Sequence, residues 1–338
     1  MPNREYVNAA DAAARLGVSA KALRLYERRG LLTPVRTAAG WRTYGPDQLR
    51  RAAEIAVLRG MGFSLGQVAR VIEGEPDGLE PALAAHQLVL DDRLRQLAGM
   101  IDRLRQLREG LAAGDVPTAS QLAQLLAPAA MPAVPLALPW PWGGERFDLV
   151  IDRPLTHITG PLGSGKTRLA KLIAATLPGA SFLGPDRRPD SDVDAADPAV
   201  RSRIDAAMGW LADEGAASSD ALRDLISALE ADTTGALVVD MVEDGLDQPT
   251  QVALMAFLRR RGPGARPLFL LTRSNAILDL ASVGPGEAII FCPANHSPPR
   301  YVAPHPGAPG YEALASCLAS PAVRARTTGV IAWRPEVV

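Results

Sequence analysis

The spacing of apolar residues changes near the middle of the chain. Before residue 112 they recur every three or four positions, a spacing that predicts amphipathic helices. After residue 145 they gather into short apolar runs that alternate with helical stretches, as in a mostly parallel sheet covered by helices. The chain is therefore predicted to be multidomain, with an all-α N-terminal part and an α/β C-terminal part.

Two short helices with a turn between them open the N-terminal part. Asn8 is placed to cap the first helix and Gly17 to end it, while Ser19 opens a second helix that Gly30 ends. Two short helices joined by a turn that contains glycine predict a helix-turn-helix. Residues 41–44, between glycine and proline punctuation, predict a short β-wing.

This stretch resembles the MerR family of transcription regulators over about seventy residues. The matching residues are Ala10 to Leu16, Gly17-Val18-Ser19, Leu23-Arg24-Leu25-Tyr26-Glu27, Gly30-Leu31-Leu32, Gly40-Trp41-Arg42-Thr43-Tyr44 and Leu58-Arg59-x-Met61-Gly62-Phe63-Ser64-Leu65. Two positions depart from the family pattern: Leu25 replaces an aromatic residue and Trp41 replaces the usual tyrosine.

The resemblance implies a recognition helix in the major groove of double-stranded promoter DNA, a wing on the flanking backbone, and RNA polymerase as a partner at the promoter. Arginine reads guanine edges or holds phosphates, and tyrosine hydroxyls suit phosphate oxygens. For Tyr26 a core position remains the alternative, and for Arg24 a solvated surface charge. The residues expected to bind DNA are Ser19, Lys21, Arg24, Tyr26, Arg42 and Tyr44.

The charge distribution agrees with a DNA partner for the N-terminal part only. Residues 1–75 hold 12 Lys and Arg against 7 Asp and Glu, a net charge of +5, whereas the whole chain carries −1. Cys292 and Cys317 lack metal-type spacing and lie outside the N-terminal part, so we expect free thiols and no metal sensing. With no apolar stretch of the roughly 20 residues that a span needs, we expect a cytoplasmic protein without a membrane partner.

A seven-residue leucine repeat follows the N-terminal part. Leucines stand at positions 83, 90, 97, 104 and 111, with charged residues between them. Such a seam predicts a coiled coil, and a single helix packed on its own chain is the alternative. In the resembling family this helix pairs antiparallel with a second copy, which implies a homodimer. The expected dimerisation residues are Leu90, Leu94, Leu97, Ile101, Leu104 and Leu111.

A phosphate-binding loop opens the C-terminal part. Residues 160–167 read Gly-Pro-Leu-Gly-Ser-Gly-Lys-Thr, between apolar strands and a predicted helix, which is the context that a P-loop requires. Asp240 ends an apolar run, as the Walker B aspartate does, and with Thr167 it would hold Mg²⁺. The residues expected to bind ATP or a related nucleotide are Gly160, Gly163, Ser164, Gly165, Lys166, Thr167, Arg168 and Asp240.

Residues 218–247 and 272–274 also resemble ABC-type ATPase domains in a degenerate form. Arg223 keeps its spacing from Asp240, and residues 245–247 are similar to the D-loop. The signature glycine is missing from residues 218–221, Met241 occupies the place of the catalytic glutamate, and Arg273 replaces the switch histidine. Glu243 or Asp244, a few residues later, could substitute for the missing base. We therefore expect at most a slow ATPase.

These patterns divide the chain into four predicted segments. They are residues 1–75, a winged helix-turn-helix; 76–114, a coiled-coil dimerisation helix; 115–145, a linker rich in Ala and Pro; and 146–338, an ABC-like P-loop domain. The predicted function is a dimeric MerR-type regulator that senses nucleotide. Two alternatives remain: an active ATPase or small-molecule kinase tethered to DNA, and a regulator for another small ligand with a purely structural nucleotide site. Trp140 and Trp142 are candidates for base stacking or, alternatively, aromatics docked on either domain.

Overall fold

A computed structural model describes residues 6–75, 79–112, 133–185, 197–231, 235–261 and 265–326. The chain divides into two compact units, the first formed by residues 1–118 with 209–214 and the second by 119–208 with 215–338. None of the helices in the described ranges is both long enough and apolar enough to cross a membrane.

The first unit is a winged helix-turn-helix followed by a long helix. A three-stranded antiparallel sheet of order β1-β3-β2 forms its wing. Its elements are β1 (Val7–Asn8), α1 (Ala9–Leu16), α2 (Ala20–Arg28), β2 (Val35–Arg36), β3 (Arg42–Tyr44), α3 (Pro46–Gly60), α4 (Leu65–Ile72) and α5 (Leu79–Ala112). The predicted helical N-terminal part with its helix-turn-helix is confirmed.

Local capping explains where the short helices of the first unit begin and end. The Asn8 side-chain oxygen accepts hydrogen bonds from the amides of Ala10 and Asp11, each at 2.9 Å. Gly17 ends α1 in the left-handed conformation with φ 64°, which glycine adopts without a steric penalty. Ser64 caps α4 through the Gln67 amide at 3.0 Å, and the Gln67 side chain caps the Ser64 amide in return.

Helix α5 presents an apolar stripe to solvent. Its 34 residues give it a length of about 51 Å. Within the described residues, the large apolar side chains of this stripe are about half exposed. They are Leu83, Leu90, Leu94, Leu97, Ile101, Leu104 and Leu111. A stripe of this size is unusual on a monomeric surface, and it is the feature that the predicted coiled coil requires.

The second unit contains a six-stranded sheet with the order β11-β10-β6-β9-β8-β7, parallel except for β11. Its elements are β4 (Val134–Ala137), β5 (Arg146–Leu149), β6 (Leu155–Thr159), α6 (Lys166–Thr176), β7 (Ser181–Leu183), α7 (Pro198–Glu214), α8 (Asp220–Glu230), β8 (Leu237–Val239), α9 (Gln248–Arg259), β9 (Leu268–Leu271), β10 (Glu287–Phe291), β11 (Arg300–Tyr301), α10 (Tyr311–Ser316) and α11 (Pro321–Ala325). The last six residues of α7 are counted with the first unit. The predicted α/β fold with a mostly parallel sheet is confirmed.

The linker prediction is wrong at its C-terminal end. Strand β4 pairs antiparallel with β5, and Leu136, Leu138 and Trp142 are buried in the core of the second unit. Proline at positions 135, 139 and 141 suggested an extended linker. The prolines outweigh the alternation of buried leucines in the sequence pattern. A two-stranded hairpin tolerates proline because the outer edge of each strand needs no hydrogen-bond partner. Residues 115–132 of the predicted linker lie outside the described residues.

A buried ionic cluster lies where strands β6 and β10 begin. The Glu287 carboxylate is 2.8 Å from His157 Nε2 and accepts hydrogen bonds from Arg259 Nε at 2.9 Å and the Gly284 amide at 3.0 Å. Burial alone would raise the pKa of Glu287, but the hydrogen bonds from His157 and Arg259 outweigh it and hold the pKa at about 2, below its usual 4.5.

We expect acid to destabilise the second unit through Glu287. The folded state binds fewer protons here than the unfolded chain, so the stabilisation is complete above pH 4.5 and is lost as the pH falls toward 2. A depression of this size corresponds to about 3 kcal/mol of unfolding free energy. Urea unfolding of Glu287→Gln should lack this pH dependence, whereas the exposed Glu312→Gln should keep it. If the free energy of unfolding depends on pH equally in both variants, Glu287 is not the source of the acid sensitivity.

Candidate functional site

The predicted phosphate-binding loop, residues 160–167, connects β6 to α6 and contains three glycines with positive φ. Gly160, Gly163 and Gly165 have φ of 151°, 77° and 91°, which side chains rarely allow. A Cβ at Gly160 would lie 2.2 Å from the Cys292 carbonyl oxygen, and one at Gly165 would lie 2.4 Å from the Trp142 ring. The loop is therefore held in shape by β10 on one side and by an indole on the other.

Lys166 is the first residue of α6, and its ammonium lies inside this loop. Its Nζ donates to the carbonyl oxygens of Gly160 at 2.8 Å and Pro161 at 2.6 Å, with Ser164 Oγ at 3.4 Å. Burial lowers the pKa of Lys166 from 10.5 to about 8, with Arg273 lowering it further and Asp240 acting against the shift. A bound phosphate would supply the negative charge that this buried ammonium lacks.

Thr167 and Asp240 meet at the same edge of the sheet. Thr167 Oγ1 donates to Asp240 Oδ2 at 2.8 Å, and Asp240 is buried just after β8. A hydroxyl and a carboxylate are the oxygen ligands that Mg²⁺ prefers alongside phosphate and water. In the described ranges, no group of three or more His, Cys, Asp and Glu side chains could hold a metal ion. The residues present fit Mg²⁺ that is shared with a nucleotide.

The two tryptophans before the loop have different environments. Trp142 is 1% exposed, and its Nε1 donates to the Ser297 carbonyl oxygen at 3.2 Å. Trp140 is 66% exposed, with the Arg168 guanidinium 4.4 Å from its ring centroid and donating to its carbonyl oxygen at 3.0 Å. The structure thus places Trp142 in the core and Arg168 against Trp140.

The residues after β8 hold the predicted substitute base. Met241 has a left-handed backbone with φ 49°, and a turn closes from the Asp244 amide to the Met241 carbonyl oxygen at 2.9 Å. Glu243 is buried, forms an ion pair with Arg324, and accepts a hydrogen bond from the Arg273 amide at 3.0 Å. A carboxylate with these partners is a poor proton acceptor, because protonation would sacrifice the ion pair.

The predicted DNA-binding residues separate into surface and core positions. Lys21 and Arg24 are exposed on α2, and the Ser19 hydroxyl caps that helix through the Ala22 amide at 3.1 Å. Arg42 on β3 donates to the Glu27 carboxylate at 2.6 Å. Lys21, Arg24 and Arg42 are therefore the cationic side chains of the predicted set that α2 and the wing carry.

For Tyr26 and Tyr44 the prediction of DNA contact is corrected. Both rings lie in the hydrophobic core of the winged helix, and Tyr44 is completely buried. Burial raises the pKa of both phenols. Tyr26 falls on the apolar side of α2, and Tyr44 falls on the buried face of β3. Their rings therefore pack in the core and do not present hydroxyls to phosphate.

The sequence reasoning missed Glu27 and Arg36. Glu27 on α2 binds Arg42 of β3 and also lies 3.4 Å from Arg36 of β2, so one carboxylate joins α2 to two neighbouring strands of the wing. The charges are far apart in the sequence, and only their opposite signs could have suggested the pairing. Trp41, at the wing tip, is 75% exposed.

Comparison with known proteins identifies the first unit. The model of the MerR HTH family regulatory protein matches residues 8–75. A "Probable heavy metal-dependent transcriptional regulator" of Haemophilus influenzae is 31% identical over 118 residues, which are 33% of this chain and 92% of that protein. The "HTH-type transcriptional regulator CueR" of Salmonella typhi is 28% identical over 108 residues, 32% of this chain and 78% of the relative. The chain belongs to the MerR family and is a transcriptional regulator of MerR type.

Solved structures add similarities of lower quality. A MerR family transcriptional regulator from Bacillus cereus covers 36% of this chain and 94% of its own, with 23% identity and a TM-score of 0.25. An inward-facing metal-chelate type ABC transporter covers 52% of this chain and 82% of its own, with 11% identity and a TM-score of 0.35.

Proposed function

We propose that this MerR-type regulator binds promoter DNA as a homodimer and that its second unit binds ATP or a related nucleotide with Mg²⁺ as a sensor input. Hydrolysis is weak or absent. The observation that carries the proposal is the combination of a preformed phosphate loop, with Thr167 bonded to Asp240, and a neighbouring carboxylate, Glu243, that is occupied by Arg324.

The binding side has the groups that a nucleoside triphosphate requires. Glycines bring backbone amides toward the phosphates, and the N-terminus of α6 adds the positive end of a helix dipole. Lys166 contributes a buried ammonium, and Thr167 with Asp240 contributes oxygen ligands for Mg²⁺. Hydrogen bonds to charged groups contribute about 1.5–3 kcal/mol each, so several of them support micromolar binding.

Among the described residues that follow β8, the predicted base Glu243 is occupied by an ion pair. Met241 follows Asp240 directly and cannot accept a proton, and Glu243 is held by Arg324. Loss of general base catalysis lowers a rate by about 10²- to 10⁴-fold. These observations favour a nucleotide that stays bound over one that is turned over.

The first unit supports the DNA side of the proposal. The exposed Lys21 and Arg24 on α2 are placed for the major groove, and Arg42 in the wing for the adjacent backbone. The apolar stripe on α5 suits a second copy of the chain, and a two-fold dimer suits a palindromic site. RNA polymerase at the promoter remains the further expected partner. Nucleotide would act by binding one DNA-competent state of the dimer better than another.

Calorimetry with ATP and Mg²⁺ tests the nucleotide site. We expect micromolar binding to the wild type and a loss of about 10- to 100-fold in Lys166→Ala, because a charge-assisted contact to phosphate disappears. Lys171→Ala is the matched control, since Lys171 is an exposed lysine on the same helix and its Nζ lies 5.7 Å from the centroid of the Phe182 ring. Phosphate release from the same samples should be far below one per second.

Three outcomes would contradict the proposal. Equal ATP affinity in Lys166→Ala and the wild type would remove the phosphate loop from the binding site. If saturating nucleotide leaves both DNA affinity and DNA bending unchanged, the nucleotide is not a sensor input. Turnover of about one per second or faster, abolished by Lys166→Ala, would instead establish the DNA-tethered ATPase.

A further inference from the structure

The chain after α10 crosses the loops that follow strands β8 and β9. We call residues 317–326 the C-terminal strap. The Ala319 amide donates to the Arg273 carbonyl oxygen at 2.9 Å, and the Asn275 amide donates to the Ala319 carbonyl oxygen at 3.0 Å. Ser274 and Ala319 thereby form a parallel β-bridge. The strap is thus fixed by backbone hydrogen bonds to the loop that follows β9.

Helix α11 then carries a guanidinium to the loop that follows β8. Ser320 caps α11 through the Val323 amide at 3.3 Å, which sets the start of the helix. Arg324 forms an ion pair with Glu243 and lies 3.9 Å from Asp244. The Arg324 side chain is 18% exposed and that of Glu243 3%, so this ion pair is largely shielded from solvent.

Glu243 lies in the loop that follows Asp240, and one of its carboxylate oxygens accepts no hydrogen bond from the described residues. It follows Asp240 by three residues, and its Oε1 accepts the Arg273 amide at 3.0 Å. Its Oε2 is buried and has no hydrogen-bond partner among the described residues. Strand β9, which leads to Arg273, lies between β6 and β8 and is parallel to both, so the loops after β8 and β9 leave the same edge of the sheet as the phosphate loop.

We propose that the C-terminal strap is an autoinhibitory latch: Arg324 occupies Glu243, and release of the strap frees this carboxylate to act as the base in nucleotide hydrolysis. The inference rests on the proposed nucleotide site and assigns its regulation. In the released state, Glu243 takes a proton from water as the water oxygen bonds to the γ-phosphorus. The bond from that phosphorus to the bridging oxygen breaks, and the nucleoside diphosphate keeps the electron pair.

The ion pair explains why the latched state is inactive. A carboxylate beside a guanidinium is stabilised in its charged form, so proton transfer to it is opposed. Burial lowers the pKa of the Arg324 guanidinium, and the Glu243 carboxylate is the anion beside it. Separation of the strap would expose both groups to water. The same contact therefore holds the strap in place and blocks the base.

Phosphate release by the full chain at saturating ATP and Mg²⁺ tests the latch. Arg324→Gln should raise the rate at least tenfold, because Glu243 loses its cation. Arg326→Gln, an exposed arginine two positions later in the strap, is the matched control and should stay within twofold of the wild type. Adding Glu243→Gln to Arg324→Gln should return the rate to the wild-type level, while ATP affinity stays within twofold throughout.

A second variant removes a backbone hydrogen bond of the strap. Ala319→Pro removes the amide that donates to Arg273 and leaves both charges of the ion pair in the chain, so it should also raise the rate at least tenfold. It decides the question if Arg324→Gln does not fold. Rates within twofold of the wild type in folded variants that bind ATP would overturn the latch and leave the nucleotide site standing. A raised rate that survives Glu243→Gln would overturn Glu243 as the base. No ATP binding by the wild type would overturn both proposals.

Discussion

Leu97→Glu combined with Ile101→Glu is expected to convert the protein from a dimer to a monomer and to weaken DNA binding about 1,000-fold. Both side chains are about half exposed at the centre of the apolar stripe on α5. Burial of one such side chain in an interface contributes about 1.5–3 kcal/mol. The substitutions remove that gain from both copies and place four carboxylates in the seam. Each separated copy would then hold only a half-site.

Sedimentation equilibrium and DNA titration measure the two effects. Gln106→Glu is the matched control, because Gln106 is exposed on α5 at a position outside the leucine repeat. The Gln106→Glu variant should remain a dimer. Its DNA affinity should fall only by the small amount that one added negative charge causes. A double variant that still sediments as a dimer would show that the stripe is not the dimer interface.

Gly165→Ala is expected to abolish measurable nucleotide binding, with a loss greater than 100-fold, and to destabilise the second unit. The new Cβ meets two obstacles: φ is 91°, and the Trp142 ring would lie 2.4 Å away. Trp142 is buried and hydrogen-bonded to the Ser297 carbonyl oxygen, so the ring has little freedom to move. A left-handed alanine costs about 1–2 kcal/mol and overpacking about 1–3 kcal/mol.

Thermal unfolding and calorimetry check this prediction together. A cost of a few kcal/mol should lower the melting temperature by roughly 5–15 °C in a unit of this size. Gly209→Ala is the control, because Gly209 lies inside α7 and a Cβ there meets nothing within 4 Å. That variant should be neutral or slightly stabilised. Normal ATP affinity in Gly165→Ala would mean that the loop adapts to both constraints.

Sequence patterns predicted the parts of this protein that depend on local chemistry. Asn8, Gly17 and Ser19 could be assigned to helix ends because the groups that they satisfy are within three residues, or four for Gly17. The phosphate loop could be placed because its glycines, Lys166 and Thr167 act within eight consecutive positions. Local spacing of this kind needs no knowledge of the tertiary structure.

The remaining features depend on residues that are distant in the sequence. Residues 134–142 are predicted to be linker because three prolines outweigh two buried leucines, Leu136 and Leu138, whose partners lie on other elements. Tyr44 was assigned to DNA because a wing position does not reveal which face of the strand is buried. Glu243 was a candidate base, but its partner Arg324 is 81 positions later, and no pattern connects them.

The position of Trp142 beside Gly165 gives the protein an intrinsic fluorophore at its proposed nucleotide site. A Cβ at Gly165 would lie 2.4 Å from the ring, and the ring Nε1 donates a hydrogen bond to the Ser297 carbonyl oxygen. Indole emission depends on the polarity and motion around the ring. Iodide in solution would quench the exposed Trp41 and Trp140 and spare the buried indoles, Trp142 among them. Occupancy of the loop can therefore be followed optically, without a labelled nucleotide and independently of DNA.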